Sequence, residues 1–161
     1  MCASKADLEL YIHIPFCIKK CNYCDFLSFP SNEERREIYV QSLINEIEQT
    51  GNLLDKDAYA VRSIFIGGGT PSLLSGKQIE RIMLAVRNAF FIMEEAEITM
   101  ETNPGTLTKE NVFSYKKAGV NRFSMGLQSA DDACLHLLGR IQTWEEYLGR
   151  IRVETPARED K

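Results

Sequence analysis

Four times along the chain a short strand-like run gives way to a helix-like one. That alternation constrains the fold more than any other feature. "LELYIHIPF" puts Leu8, Leu10, Ile12 and Ile14 on one face and Glu9, Tyr11 and His13 on the other, the period of a half-buried strand. "SNEERREIYVQSLINEIEQTGN" then reads as a helix with Ser31 and Glu34 at capping-box spacing, a stripe of Val40, Leu43, Ile44 and Ile47, and Gly51 at its end. "VRSIFIGGGT" and "SGKQIERIMLAVRNAF" repeat the pair, with Ser75 as cap and Ile79, Ile82, Met83 and Val86 on one side. "AEITMETNPG" and "TKENVFSYKKAG" form the third pair, bounded by Thr108 and Gly119. "VNRFSMGLQS" and "SADDACLHLLG" form the fourth, capped by Ser129. A last helix, "TWEEYLGRIRV", opens on a Thr143/Glu146 capping box.

Strands that alternate with helices pair in parallel through right-handed crossovers, so the fold class is α/β. The unusual polar and glycine residues all follow strands: the cysteine loop 16–30, "GGGTPS", "ETNPG" and "GLQS". In barrel-type α/β folds ligands bind at that end of the sheet. Residues 1–153 read as one incomplete core of four βα units, and 154–161 as a polar tail. An unclosed parallel sheet exposes its edges, so either aggregation of the isolated chain or pairing of two copies across the gap is expected.

Composition narrows the function classes. A net charge of −4 with no Lys/Arg block argues against nucleic-acid binding. No run approaches a membrane span. The segment "MCASKADLEL" has no apolar core to serve as an export signal, and Cys2 lacks the context for lipidation. A cytoplasmic, reducing location is expected, where disulfides are rare. Yet Cys17, Cys21 and Cys24, three of five cysteines, crowd into eight residues, a pattern of metal or redox chemistry.

Three thiolates from one loop can hold one side of a [4Fe–4S] cube, whose fourth iron then stays open. The same residues admit a zinc site with His13 or a distant group as fourth ligand, or three free buried thiols. Zinc sites more often use paired C-x2-C elements, and one such element occurs here.

The C-x3-C-x2-C spacing, with Tyr23 before the third cysteine, resembles the radical S-adenosylmethionine (SAM) superfamily. "YIHIPFCIKKCNYCDF", "GGGTPS", "ETNPG" and "GVNRFSMGLQS…LGR" resemble its oxygen-independent coproporphyrinogen III oxidase group over about residues 8–148. The resemblance implies the first part of a partial TIM-like barrel, with a [4Fe–4S] cluster on Cys17, Cys21 and Cys24 and SAM on the open iron. It also implies SAM-site roles for Tyr11, Tyr23, Gly68, Gly69, Thr70, Glu101, Gln128 and Arg140. Two branches share these motifs, oxidases that decarboxylate two propionates and HemW-type heme chaperones. A cysteine two positions after the third is usual in the oxidases. Phe26 stands there, which favours the chaperone branch. Heme or porphyrin and an electron donor protein are the implied partners of the complete protein.

Each of these residues also has a plainer reading. Tyr11 suits either the SAM site or packing inside a barrel, and His13 suits a hydrogen bond to the cysteine loop. The glycines suit close approach of a ligand to backbone, or a turn. Glu101 can bind hydroxyls or an amino group, and Asn103 can hold the turn after it. Arg140 can meet the SAM carboxylate or simply follow a helix cap. Cys134 is expected to be a small buried hydrophobe, and His136 to be solvated.

Overall fold

The computed structural model describes residues 5–154, and side chains as far as 150. Cys2 and all of the expected tail except Glu154 lie outside the described residues. The four principal strands are β1 (Ala6–Ile14), β4 (Tyr59–Gly68), β5 (Ile92–Thr102) and β6 (Arg122–Met125). All their pairings are parallel, and the sheet order is β1-β4-β5-β6. Each strand therefore lies beside its predecessor among these four. The fold is singly wound, as in a barrel, rather than doubly wound about a switch point.

Between the strands run α1 (Glu33–Leu53), α2 (Gly76–Ala89) and α3 (Lys109–Ala118); α4 (Asp132–Leu137) and α5 (Trp144–Glu154) follow β6. Helix α1 packs on α2, and α2 on α3, so these three cover one face of the sheet. Their stripes bury there: Ile79, Ile82, Met83 and Val86 of α2, Val40 and Ile47 of α1, and Val112 and Tyr115 of α3. Ile12, Ile14, Ile64, Ile66, Ile98 and Met100 meet them from the strands. The opposite face presents rows in register: Tyr11 beside Phe65, Thr99 and Arg122, then His13 beside Gly67.

Several local expectations change. The α1 cap is Asn32, whose side chain accepts from the Arg35 amide, not Ser31. Helix α1 also runs through Gly51, where an added Cβ would sit 2.5 Å from Ala89 Cβ, so this glycine is a notch for α2 rather than a stop. The α4 cap is Asp131, not Ser129; the Ser129 hydroxyl instead accepts from the Asp131 amide. The boxes at Ser75/Gln78 and Thr143/Glu146 form, and Gly119 closes α3 in the left-handed region.

The cysteine loop is not wholly irregular. Its ends pair in parallel as β2 (Phe16–Cys17) and β3 (Phe29–Pro30), and the Phe29 amide donates to Pro15 O at 2.9 Å. Phe16, 1% exposed, is wedged edge-on between the rings of Phe29 and Tyr39.

Candidate metal and cofactor site

The loop after β1 is gripped at three places. His13, the penultimate residue of β1, reaches Leu27 O with Nε2 at 3.0 Å. A carbonyl only accepts, so Nε2 carries the proton, and Nδ1 accepts from the Tyr11 hydroxyl at 3.0 Å. Both ring nitrogens are thus committed, and His13 ties the loop down rather than standing ready as a fourth metal ligand. Asn22, between Cys21 and Cys24, fixes the second place. Its amide donates to Leu138 O at 3.0 Å and its side chain to Leu137 O at 2.9 Å, which docks the end of α4 on the loop.

The third grip is the glycine run. At the end of β4 the Gly69 amide donates to Ile14 O at 2.8 Å and the Thr70 amide to Phe16 O at 2.6 Å. A Cβ on Gly69 would lie 2.5 Å from Phe16 O, and one on Gly68, where φ is +113°, would strike the His13 ring at 2.6 Å. The glycines are therefore required by close approach of the protein's own backbone and ring, whatever else they approach.

These contacts leave a cavity of ≈ 350 Å³ at the C-terminal edge of the sheet. Cys17, Cys21 and Cys24 line one side of it, and all three are free thiols of intermediate exposure. Gly68, Gly69 and Thr70 follow from β4, Glu101 from β5, Gln128 and Arg140 from beyond β6, and Tyr23 from the loop. Ten of the eleven residues singled out from sequence thus share one cavity wall. Tyr11 does not. It stacks on Phe65 on the open sheet face, 59% exposed, with its hydroxyl turned to His13.

Polar contacts already support two of the sulfurs. Thr70 Oγ1 donates to Cys17 Sγ at 3.6 Å, and Arg140 Nη1 to Cys21 Sγ at 3.8 Å. Glu101 Oε2 accepts from the Gly68 amide at 3.0 Å, so one oxygen is anchored at the cavity wall. Burial pushes the Tyr23 phenol above its usual range, with Arg140 opposing the shift and Cys21 adding to it. Burial also raises Tyr11, helped by the charge of Glu101. Gln128 adopts φ 65°, a left-handed conformation uncommon outside glycine.

Sequence reasoning missed Ser124 and Gly126 of the β6 edge, which also line the cavity, and Gln142, which is 4% exposed behind Arg140. Ser124 alternates with Phe123 and Met125, which pack on the core, and so falls on the cavity side; reading the segment as a strand did not single it out. Asn103 does hold its turn, accepting from the Gly105 amide at 3.0 Å. Cys134 is exposed, not buried: α4 is short and buries only Leu135.

The family model of the radical SAM superfamily matches residues 11–153. The chain belongs to the radical SAM superfamily. Among curated relatives it is 48% identical over 145 residues to the heme chaperone HemW of Escherichia coli, across 86% of this chain and 36% of that protein. It is 36% identical over 139 residues to the mitochondrial radical S-adenosyl methionine domain-containing protein 1 of Mus musculus, across 86% of this chain and 31% of that one. The solved structure of coproporphyrinogen III oxidase (HemN) from Escherichia coli, a radical SAM enzyme, matches with a TM-score of 0.85 at 30% identity, over 93% of this chain and 34% of that one. The chain thus spans about a third of the length of these relatives.

A radical SAM chain implies a [4Fe–4S] cluster and SAM, and the residues present fit that pair. Cys17, Cys21 and Cys24 line one cavity as free thiols, and a cube would take each thiolate at a separate iron.

Proposed function

We propose that this chain is the cluster- and SAM-binding part of a HemW-type heme chaperone. Cys17, Cys21 and Cys24 would hold the cluster and leave one iron for the amino and carboxylate groups of SAM. The observation that carries this reading is the shared cavity: three free thiols on one wall, with an anchored carboxylate and a guanidinium on the others. Glu101, held by the Gly68 amide, keeps a second oxygen to take an ammonium or ribose hydroxyl. Arg140 sets positive charge where a carboxylate would enter. Tyr23 and Phe26 supply apolar rim that limits water at the cluster. When bound, the cluster can supply one electron to the sulfonium of SAM; the chain's own residues bind, orient and shield.

A second reading is a coproporphyrinogen oxidase, favoured by the structural likeness to HemN. Phe26, 63% exposed at the cavity rim, stands where the oxidases usually carry a cysteine, and this supports the chaperone instead. Anaerobic reconstitution tests the shared part. About four irons per chain are expected, with an electron paramagnetic resonance spectrum that changes when SAM is added. Zinc retained in place of iron, or a spectrum indifferent to SAM, would refute it. In a longer chain containing this one, heme titration set against conversion of coproporphyrinogen separates the two readings.

A further inference from the structure

Arg140 enters the cavity with its orientation already fixed by a residue that never reaches it. Gln142 is almost completely buried, and a buried carboxamide is costly unless its oxygen is used. With that oxygen turned toward Arg140, it accepts from Nε at 2.7 Å and from Nη2 at 2.7 Å. The other Nη2 proton goes to Gly126 O at 2.9 Å. A guanidinium has five N–H donors in a rigid fork, so holding the Nε/Nη2 edge fixes the remaining edge. That edge is Nη1, and it points at Cys21 Sγ, beside the cavity.

We infer that Gln142 is a positioning residue for Arg140: it occupies the rear edge of the guanidinium so that Nη1 faces the cluster loop and the cofactor cavity. The inference rests on the function proposed above for the cavity. Without Gln142 the long side chain regains its rotamers and can turn its fork into solvent. Arg140 also bridges three segments, through Cys21 in the loop, Gly126 after β6, and Gln142 before α5. Releasing it should therefore loosen the loop locally without disturbing β1 and β4.

The test uses Gln142→Leu, which removes the acceptor at similar volume, and Gln142→Glu, which keeps an acceptor oxygen at the same reach. Two readouts are taken: SAM dissociation constants for the reconstituted proteins by calorimetry, and hydrogen exchange of the metal-free chains. Loss of a charge-assisted contact sets the expectation at about tenfold weaker SAM binding for Gln142→Leu. Iron content should be unchanged and the melting temperature should fall by only about 3–6 °C, with faster exchange in residues 20–24 and 138–142 only. Gln142→Glu should restore the slow exchange and bring binding to within about threefold of wild type. Wild-type binding and exchange in Gln142→Leu would overturn the inference. If Gln142→Leu does not fold, Gln142→Asn, which withdraws the oxygen by one methylene, faces the same criteria. A wild-type chain that binds no SAM would instead refute the function proposed for the cavity, and the exchange pattern would still decide whether Gln142 holds Arg140.

Discussion

Gly69→Ala is the sharpest test of how the cysteine loop is seated. The new Cβ would lie 2.5 Å from Phe16 O and 2.9 Å from Phe16 C and N, all backbone atoms. Opening that contact to an ordinary 3.4 Å takes a shift of about 0.9 Å. Phe16 cannot yield through its ring, which is wedged between Phe29 and Tyr39. The strain must go into the bonds from the Gly69 amide to Ile14 O and from the Thr70 amide to Phe16 O. Overpacking costs about 1–3 kcal/mol and each hydrogen bond about 1 kcal/mol, so a loss of roughly 3–5 kcal/mol is expected. At about 3 °C per kcal/mol for a chain of this size, the melting temperature should fall by about 9–15 °C. Cys17 is bonded directly to Phe16, so iron retained after reconstitution should fall as well. Gly149→Ala is the control. Its Cβ meets nothing within 4 Å in the middle of α5, so it should stabilise by about 0.5–1 kcal/mol. A Gly69→Ala chain that melts with wild type and holds as much iron would refute the reasoning.

Four further outcomes are expected. Cys21→Ala should abolish the reconstituted cluster, and Cys134→Ala, on an exposed face of α4, should leave iron content unchanged. Asn22→Ala removes one of the two bonds to the end of α4 and should cost about 0.5–1.5 kcal/mol in urea unfolding, with faster exchange at residues 137–139. His13→Phe keeps the ring but loses both hydrogen bonds, leaving Leu27 O without its donor; the loop should become the first site cut by limited proteolysis. Burial pushes the Tyr115 phenol up to about 12. Its contribution is complete below the unfolded value near 10 and is lost as pH rises toward 12, so wild type should lose about 2–3 kcal/mol relative to Tyr115→Phe between those pH values.

Periodicity made the fold legible. Alternation in "LELYIHI" and the stripe in "IERIMLAV" report burial directly, and both faces came out as the pattern requires. The cavity was legible for a related reason: in a parallel sheet every loop that follows a strand opens at one edge, so sequence position alone groups those residues. Three features were hidden because they depend on how side chains and elements meet in space, which periodicity does not report. Gly51 looks like a helix stop until Ala89 is placed against it. Ser31 and Asn32 are both good caps, and the side-chain acceptor that meets an α1 amide belongs to Asn32. Gln142 reads as an ordinary polar residue until Arg140 closes over it. Cys134 was misread because its apolar neighbours were assumed to share its face, whereas Leu137 is 75% exposed.

The order β1-β4-β5-β6 has a consequence for how the polypeptide is made. Spatial order repeats the order of synthesis. A nascent chain leaving the ribosome can lay each new strand against the one just deposited, without waiting for a later segment to be inserted between them. The cysteine loop and its β4 clamp both precede β5 and β6 in the chain, so that clamp can form without either later strand.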